Sequence, residues 1–450
     1  MMRRGADALQ EQGTTAESGG EVSVDALSHE GRGVAHVAGK TLFLDGALPG
    51  ERVAFRRYRR RRRFDEGRVT GVAVSSPDRV EPHCAHFDDC GGCSLQHLSS
   101  EAQTRFKENV LLDQLKHIGK VKPGQVLTPI TADPWGYRRQ ARLGVRYVEK
   151  KGRVLVGFRE KGSSYLAELS RCEVLHPSVG RALPDLAALV GELSVYRRLA
   201  QIEVAIGDSE VALVFRNLDP LTTADREKMV DFGERRGWRI YEQPGGAESV
   251  RAVYSTDRPL SYRLPGHDLE LLFEPGDFTQ VNAAVNRQMV DRALDLLELS
   301  GSERVLDLFC GMGNFTLPMA RAAALVVGVE GSSAMVGRAR ANADRNGIAN
   351  VEVHAANLAD DVRHLPWAAE PYDRILLDPP RTGAAAIMPL IAGLGAGRIV
   401  YVSCQPATLA RDAGVLVHGH GYRLAAAGVM DMFPHTGHVE SIALFEAGKA

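Results

Sequence analysis

One cysteine in the 450-residue chain stands where a nucleophile would be useful. Cys404 follows an apolar run at 398–402 that predicts a buried strand, and it precedes a stretch at 407–417 that predicts a helix. A lone cysteine is more often a small buried apolar residue. At the carboxyl end of a strand and just before a helix, however, the helix dipole favours the attacking thiolate. The position therefore indicates a nucleophilic thiol.

A glycine-rich turn over 309–315 follows another predicted strand. Its glycines allow a tight turn and the close approach of a ligand. A dinucleotide site would have a third glycine where Thr316 stands, so the pattern favours a nucleoside without pyrophosphate, namely S-adenosylmethionine. Glu330, Asn357 and Asp378 follow the next three predicted strands, and Glu330 stands where an acidic side chain can hold ribose hydroxyls. The set predicts a cofactor site at one edge of a sheet.

A third group of polar residues lies near the end of the chain, where His435, His438 and Glu440 share a short stretch. The spacing HxxHxE is no standard metal-ligand pattern, and a loop explains it equally well. Glu440 opens the last predicted strand. It could therefore reach the same edge of the sheet and serve there as a base.

Four further cysteines could bind a metal. Cys84, Cys90 and Cys93 crowd together and Cys172 lies far downstream. No apolar leader follows the first residues, so we expect a reducing compartment, which disfavours disulfides. Four thiolates suit zinc or an iron–sulfur cluster. Only one CxxC pair is present, where structural zinc usually has two, which leans towards iron–sulfur and leaves zinc open.

The net charge of −1 hides a strongly basic segment. Residues 51–70 contain nine arginines against three acidic residues, and Tyr58 and Phe64 interleave with them. Such a patch indicates contact with a polyanion, with phosphates held by the arginines and bases stacked on the rings. A solvated loop is the alternative.

These residues need elements to position them. Residues 1–20 are polar and predict a disordered tail; short strand-like runs over 21–73 predict a small OB-like barrel. A helix is predicted at 100–118, which we expect to pack against the C-terminal part of the chain, and 135–265 looks mixed and strand-rich. From 304 onward, strand and helix patterns alternate, which predicts right-handed crossovers and a parallel sheet. No apolar run is long enough for a membrane helix, so we expect a cytoplasmic protein.

Four motifs resemble those of the RNA uracil-5 methyltransferases. They are DLFCGMGNF at the glycine-rich turn, DPPR at Asp378, SCQPATLARD at Cys404 and DMFPHTGHVES before the last strand. The resemblance implies that Cys404 adds to C6 of uracil, that C5 takes a methyl group from S-adenosylmethionine, and that Glu440 removes the C5 proton. It implies cofactor contacts from six residues: Gln280, Phe309, Asn314, Glu330, Asn357 and Asp378. Gln405 stands where asparagine is more familiar in the family, and we expect little consequence.

The same resemblance implies the rest of the architecture. The cysteine spacing is that of the subfamily with a [4Fe–4S] cluster, which would be bound by Cys84, Cys90, Cys93 and Cys172. The barrel is similar to a TRAM domain. The implied fold is α/β, with a class I (Rossmann-like) methyltransferase domain at 269–450, a mixed, strand-rich iron–sulfur domain at 78–268, a TRAM barrel at 21–77 and a disordered tail at 1–20.

The implied partner is RNA. Barrel and cluster together are similar to the branch of the family that modifies 23S ribosomal RNA, and we predict no membrane and no obligate protein partner. Two alternatives stay open. One is the same chemistry on a uridine of another ribosomal site or of tRNA. The other is a non-catalytic RNA-binding or assembly factor that retains the fold.

Overall fold

The structure, a computed structural model, describes residues 19–448. They form two compact units, one comprising residues up to Glu81 together with Ser94–Ser99, and the other comprising Pro82–Cys93 and the chain from Ser100 onward. The tail predicted at 1–20 lies outside the described residues except for its last two positions. Within 19–448, no helix combines the length and apolarity that crossing a membrane requires.

The first unit is a small β-barrel. Its strands are β1 (Glu21–Ser23), β2 (Ala26–Leu27), β3 (Gly33–Val37), β4 (Lys40–Asp45), β5 (Arg52–Arg60) and β6 (Phe64–Val74). The sheet order is β1-β5-β6-β4-β3-β2. Because β1 and β2 are neighbours in the chain yet pair with opposite ends of the sheet, the sheet closes on itself. Leu42, Leu44, Val53 and Phe55 fill its core. The predicted barrel is confirmed.

The arginine run forms the tip of the β5–β6 hairpin. Arg61–Arg63 make the turn and are exposed. Further down the hairpin, Arg57 lies 3.3 Å from Asp65 and Arg59 lies 3.5 Å from Glu66. These acidic residues therefore neutralise the arginines that lie further from the turn, and the positive charge of the hairpin is concentrated at its tip.

The central part of the second unit is a six-stranded sheet with helices against one face. In chain order, the elements between residues 100 and 272 are α1 (Ser100–Gln114), β7 (Gln125–Val126), β8 (Gln140–Val148), β9 (Arg153–Gly157), α2 (Pro177–Gly180), α3 (Leu183–Glu192), β10 (Leu199–Ile206), β11 (Val211–Asn217), α4 (Thr223–Arg236), β12 (Arg239–Glu242), β13 (Arg251–Tyr254), β14 (Ser261–Leu264) and β15 (Leu269–Leu272). The order is β13-β12-β11-β10-β8-β9, and β14 pairs with β15 as a separate hairpin. Apolar residues of α3 and α4 pack on this sheet.

The remainder of the second unit is a doubly wound α/β domain. Its elements are α5 (Ala283–Leu297), β16 (Arg304–Leu308), α6 (Thr316–Ala320), β17 (Leu325–Glu330), α7 (Ser333–Arg345), β18 (Val351–Ala355), β19 (Arg374–Leu377), α8 (Met388–Gly393), β20 (Arg398–Ser403), α9 (Pro406–Gly414), β21 (Tyr422–Met430) and β22 (Glu440–Ala447). The order is β18-β17-β16-β19-β20-β22-β21-β7, with β22 antiparallel to both neighbours. Separate apolar cores cover the two faces. The predicted α/β fold with a parallel, doubly wound sheet is confirmed.

Two predicted helices are shorter than expected. The stretch 384–394 contains only α8, because Pro389 is tolerated in the first turn of a helix but not in its interior. The stretch 407–417 becomes α9 followed by a π-helical turn at Val415–Gly419. Neither change moves the strand ends at which the predicted site residues lie.

Helix α1 and strand β7 belong to the α/β domain in space, although they precede the central sheet in the chain. Leu111 and Leu115, the latter in a π-helical turn after α1, are fully buried in the core on one face of the eight-stranded sheet. Strand β7 extends that sheet by pairing in parallel with β21.

Candidate active site

Three of the predicted site residues meet where neighbouring strands end. Cys404 follows β20 directly and Asp378 follows β19 directly. Glu440 opens β22, which runs antiparallel to β20 with Ser441 opposite Ser403. The register therefore places Glu440 beside Cys404, and the negative charges of Glu440 and Asp378 both act on the thiol.

The surroundings of Cys404 hold its thiol protonated. Burial is the largest cause, and the carboxylates of Glu440 and Asp378 add to it, so the pKa of Cys404 rises from 9.0 to about 11. Arg381 and the local backbone oppose this rise only in part. The expectation that the thiolate would be favoured at this position is therefore wrong, because burial and two carboxylates outweigh Arg381 and the local backbone.

Both carboxyl groups of the site also hold their protons more tightly than usual. Glu440 is 3% exposed, and burial together with the charge of Asp378 raises its pKa well above the ordinary value. Burial raises the pKa of Asp378 to about 7. Arg381, in the DPPR motif, is the cation that opposes the rise at Glu440. The site thus resists carrying two negative charges at once, which is a common property of sites that exchange protons.

The glycine-rich turn has the backbone that a nucleoside site needs. Gly311 and Gly313 have φ of +56° and +100°, which side chains other than glycine rarely adopt. Glu330 accepts a hydrogen bond from the Gly311 N–H at 3.1 Å and another from the Ser332 N–H at 2.9 Å. Phe309 has φ of +64°, an uncommon conformation for a phenylalanine that is typical of functional turns.

Asn314, Gln280 and Asn357 differ in how firmly they are held. The side-chain amide of Asn314 exchanges two 2.9 Å hydrogen bonds with Asn286 of α5 and accepts a third from the Tyr262 hydroxyl. Gln280 lies two residues before Asn282, which caps α5. Asn357 is exposed, and its side chain accepts the Ala359 N–H. The structure therefore ties Asn314 to the start of α5 and leaves Asn357 at the open edge.

Cys310 is placed differently from Cys404. It is 5% exposed, burial raises its pKa well above the ordinary value, and a Cβ added to Gly328 would lie 3.0 Å from its sulfur. The thiol therefore packs against the neighbouring strand β17 as an apolar group.

Sequence reasoning missed two buried polar pairs that support the site. Asp307 accepts the Thr316 hydroxyl at 2.5 Å behind the glycine-rich turn, and burial raises its pKa to about 8. Lys107 of α1 donates to Asp431 at 2.6 Å and to the carbonyl of Phe433 at 2.9 Å. A signal for the second pair exists, because Lys107 lies on the same helical stripe as Leu111 and Leu115.

Three of the four clustered cysteines belong to or pack against one apolar group of residues, and the charge of the fourth, Cys90, acts on Cys172. Cys93 belongs to it together with Phe87, Tyr137 and Val174, and the partly buried Cys84 and Cys172 pack against it. The charges of Cys84 and Cys90 act on Cys172, and with burial they raise the pKa of that thiol to about 11. The backbone N–H of Gly92 donates to the sulfur of Cys90 at 3.4 Å. None of the four is in a disulfide.

No set of three or more His, Cys, Asp or Glu side chains within residues 19–448 is close enough to hold a single metal ion. The cysteine sulfurs are therefore not arranged as a zinc tetrahedron. His435 and His438 do not form a metal site either. The ring of His435 stacks on Trp135 at 4.0 Å, and its Nδ1 lies 3.2 Å from Nε2 of Gln103.

A sheet of this order, with a glycine-rich turn after β16 and a cysteine facing two carboxyl groups, defines the chain as a class I S-adenosylmethionine-dependent methyltransferase. Comparisons of the chain with known protein families narrow this class to one family. Residues 261–447 match the family model described as tRNA (Uracil-5-)-methyltransferase, and residues 20–56 match the TRAM domain.

Relatives named 23S rRNA (uracil(1939)-C(5))-methyltransferase RlmD, from Alkalilimnicola ehrlichii and Nitrosococcus oceani, are each 57% identical to the chain. Each alignment covers 95% of the chain and 96% of the relative. The chain belongs to this RlmD family of RNA uracil-5 methyltransferases. The fold is also similar to that of the Pyrococcus abyssi tRNA (uracil-54, C5)-methyltransferase in complex with S-adenosyl-L-homocysteine, with a TM-score of 0.73, 24% identity and coverage of 94% and 99% of the two chains.

Proposed function

We propose that the protein transfers a methyl group from S-adenosylmethionine to C5 of a uridine in 23S ribosomal RNA, through a covalent adduct on Cys404. The observation that carries the proposal is the meeting of Cys404, Glu440 and Asp378 at the ends of adjacent strands. The 57% identical relatives are named for uridine 1939 of that RNA, and the TRAM match adds a module of the kind that binds RNA.

Cys404 begins the reaction. The thiol gives up its proton to solvent, its sulfur forms a bond to C6 of the uracil, and the electrons of the C5–C6 double bond move towards C5 and the C4 carbonyl, which makes C5 nucleophilic. C5 then bonds to the methyl carbon, whose bond to the sulfonium sulfur breaks, leaving S-adenosylhomocysteine. Glu440 takes the C5 proton, the double bond re-forms, and the C6–S bond breaks to release the thiolate.

The electrostatics of the free site suit this order of steps. A carboxylate on Glu440 disfavours a thiolate on Cys404, because its charge is one cause of the raised pKa of the thiol. Formation of the C–S bond and then of the C–methyl bond removes the thiolate charge. The thiolate therefore no longer opposes ionisation of Glu440 at the stage when a base is needed.

The proposal is tested by stopping the last step. Glu440→Gln keeps the size of the side chain but removes its basicity, so incubation with RNA and methyl-tritiated S-adenosylmethionine should give a denaturation-resistant protein–RNA adduct that carries the label. The Cys404→Ala, Glu440→Gln double variant should give none. A Glu440→Gln protein that turns over at the wild-type rate without adduct would refute the role of Glu440. His435 and His438 would then be the next candidates.

The substrate needs its own test, because the matched family model and the similar solved structure are both named for tRNA. We expect the protein to label 23S ribosomal RNA fragments and not tRNA transcripts. Mapping of methyluridine in ribosomal RNA from cells with and without the gene identifies the position. Label in tRNA alone would move the same chemistry to the alternative substrate, and no label in any RNA would favour a binding or assembly factor.

We also propose that Cys84, Cys90, Cys93 and Cys172 bind a [4Fe–4S] cluster. Cys84, Cys93 and Cys172 share one apolar group and the charge of Cys90 acts on Cys172, so the chain brings together four thiols, the ligand type that such a cluster needs. Backbone N–H groups of Val174 and Leu175 also act on Cys172, as expected where thiolate charge needs support. When bound, the cluster would cross-link the cysteine segment to the chain near residue 172. Anaerobically purified protein should be brown and hold about four irons; stoichiometric zinc would refute the proposal.

These assignments fit a division into a TRAM domain at 21–77, an iron–sulfur domain at 78–268 and a methyltransferase domain at 269–450, which we propose as the functional organisation. Helix α1 falls within the iron–sulfur domain along the chain, but it shares an apolar core with the eight-stranded sheet. We therefore assign α1 to the methyltransferase domain.

A further inference from the structure

A six-residue stretch, 134–139, lies between the cysteine cluster and the active site; we call it the linking segment. On one edge, the N–H groups of Gly136 and Arg138 donate to the carbonyls of Glu173 and Val174, next to Cys172. On its other side, the N–H of Arg139 donates at 2.9 Å to the carbonyl of Val281, one residue after Gln280. The linking segment is thus hydrogen-bonded on one side to the chain next to Cys172 and on the other side to the chain next to Gln280.

Two aromatic side chains of the linking segment reach a third place, the loop 431–438 that leads into Glu440. Tyr137 is 8% exposed, packs in the same apolar group as Cys93, and donates from its hydroxyl to the carbonyl of Pro434 at 3.1 Å. The ring of Trp135 stacks on His435 at 4.0 Å and an angle of 27°. Its centroid also lies 4.8 Å from that of His83, the residue before Cys84.

The loop 431–438 needs such support. His435 is 3% exposed and has φ of +66°, a strained conformation that persists only where the surroundings enforce it. Helix α1 holds the loop from a different element: Gln103 accepts the His435 N–H at 2.7 Å, and Lys107 bonds Asp431 and the carbonyl of Phe433. The loop is therefore held by hydrogen bonds with α1 and by contacts with the linking segment. The cysteines pack against the linking segment.

We propose that Tyr137 and Trp135 are positioning residues. They hold the loop 431–438, and through it Glu440, in a position that depends on the shape of the cysteine site. A close-packed interior transmits small displacements, and a base must stay within hydrogen-bonding reach of its proton. A disturbed cysteine site would then slow removal of the C5 proton more than the two earlier steps. The catalytic consequence rests on the proposed function; the packing itself does not.

The sharpest variant is Tyr137→Phe, which removes the hydroxyl bonded to Pro434 and keeps the ring against Cys93. We expect release from Cys404 to slow by about fivefold to tenfold, as for the loss of one buried hydrogen bond. Labelled adduct should accumulate, and kcat should fall together with KM for RNA and for S-adenosylmethionine, so that kcat/KM stays near the wild-type value. Tyr147→Phe, at a partly buried tyrosine of strand β8, is the matched control and should behave as wild type. Iron content should be equal in all three proteins.

Hydrogen exchange supplies a readout that needs no activity. Peptides covering 431–439 should exchange faster in Tyr137→Phe, and faster again in Cys93→Ser, while peptides covering 304–330 keep their wild-type rates. Unchanged exchange at 431–439 in both variants would overturn the proposal, as would a Tyr137→Phe protein that accumulates no adduct under conditions in which Glu440→Gln does. If Glu440→Gln itself gives no adduct, the role proposed for Glu440 fails, and the exchange data alone decide whether the linking segment holds the loop.

Discussion

The protonation of Cys404 provides a quantitative test of the site. Its pKa of about 11, against an ordinary 9.0, means that about a hundredfold less thiolate is present near neutral pH than in an unperturbed cysteine. Burial is the largest cause, and Glu440 and Asp378 follow. Glu440→Gln removes one negative neighbour and leaves the burial, so the pKa should fall yet remain above 9. Arg381→Gln removes the opposing cation, so the pKa should rise.

The assay is alkylation of the free protein by iodoacetamide at a series of pH values, with the peptide that contains Cys404 quantified by mass spectrometry. Limited access to the thiol scales all the rates equally and leaves the midpoint of the pH profile unchanged. A wild-type midpoint at or below 9 would refute the reasoning, because the two carboxylates and the burial could not then dominate. An identical midpoint in Glu440→Gln would show that this carboxylate does not face the thiol.

The structure supports four further predictions. Cys404→Ala should abolish methyl transfer while S-adenosylmethionine binding, measured by calorimetry, stays near normal; Cys310→Ala should retain turnover unless cofactor binding weakens. Alanine at Arg59 to Arg63 should weaken binding to all RNAs and flatten the plot of log affinity against log salt, by up to about 0.7 for each single-strand phosphate that is no longer neutralised; an unchanged slope would mean that the hairpin tip is only solvated. Lys107→Met leaves Asp431 buried without its cation and should cost about 3–5 kcal/mol in urea unfolding, whereas Lys151→Met, at the exposed pair with Glu168, should cost less than about 1 kcal/mol. The pKa of Asp307 is about 8 in the folded protein, above its unfolded value, so its contribution to stability falls as pH rises from about 4 towards 8, by about 1.4 kcal/mol per pH unit; Asp307→Asn, which can still accept the Thr316 hydroxyl, should flatten that part of the profile of unfolding free energy against pH.

The local signals in the sequence were sufficient for the fold and for the meeting of Cys404 with Glu440. Strand periodicity gave the ends of β16, β19 and β20 to within a residue, and parallel strands place their carboxyl ends at one edge. The pKa of Cys404 was not accessible in this way. The direction in which this pKa shifts depends on how deeply the thiol is buried and on two carboxylates that approach it from other strands.

Apart from the helical stripe that Lys107 shares with Leu111 and Leu115, the supports of the loop 431–438 had no signal in the sequence. Gln103 looks like a helix-capping residue, because it stands three positions after Ser100, yet its side chain holds His435, which is 332 positions away along the chain. Lys107 looks like a solvated helix position and is 1% exposed. Contacts over such separations follow from the packing of α1 on the eight-stranded sheet, which no local pattern encodes.

The position of α1 and β7 has a consequence for the synthesis of the chain. Strand β7 ends at Val126 and its partner β21 begins at Tyr422, so at about 5–20 residues per second the ribosome adds the partner some 15–60 s later. During that interval Leu111 and Leu115, fully buried in the finished protein, lack part of their cover, because α1 packs against α9 and β21 as well as the earlier strands. The methyltransferase sheet is completed only when the last strands arrive. Truncation before Tyr422 removes β21 and β22, and with them Glu440, and should leave α1 partly uncovered.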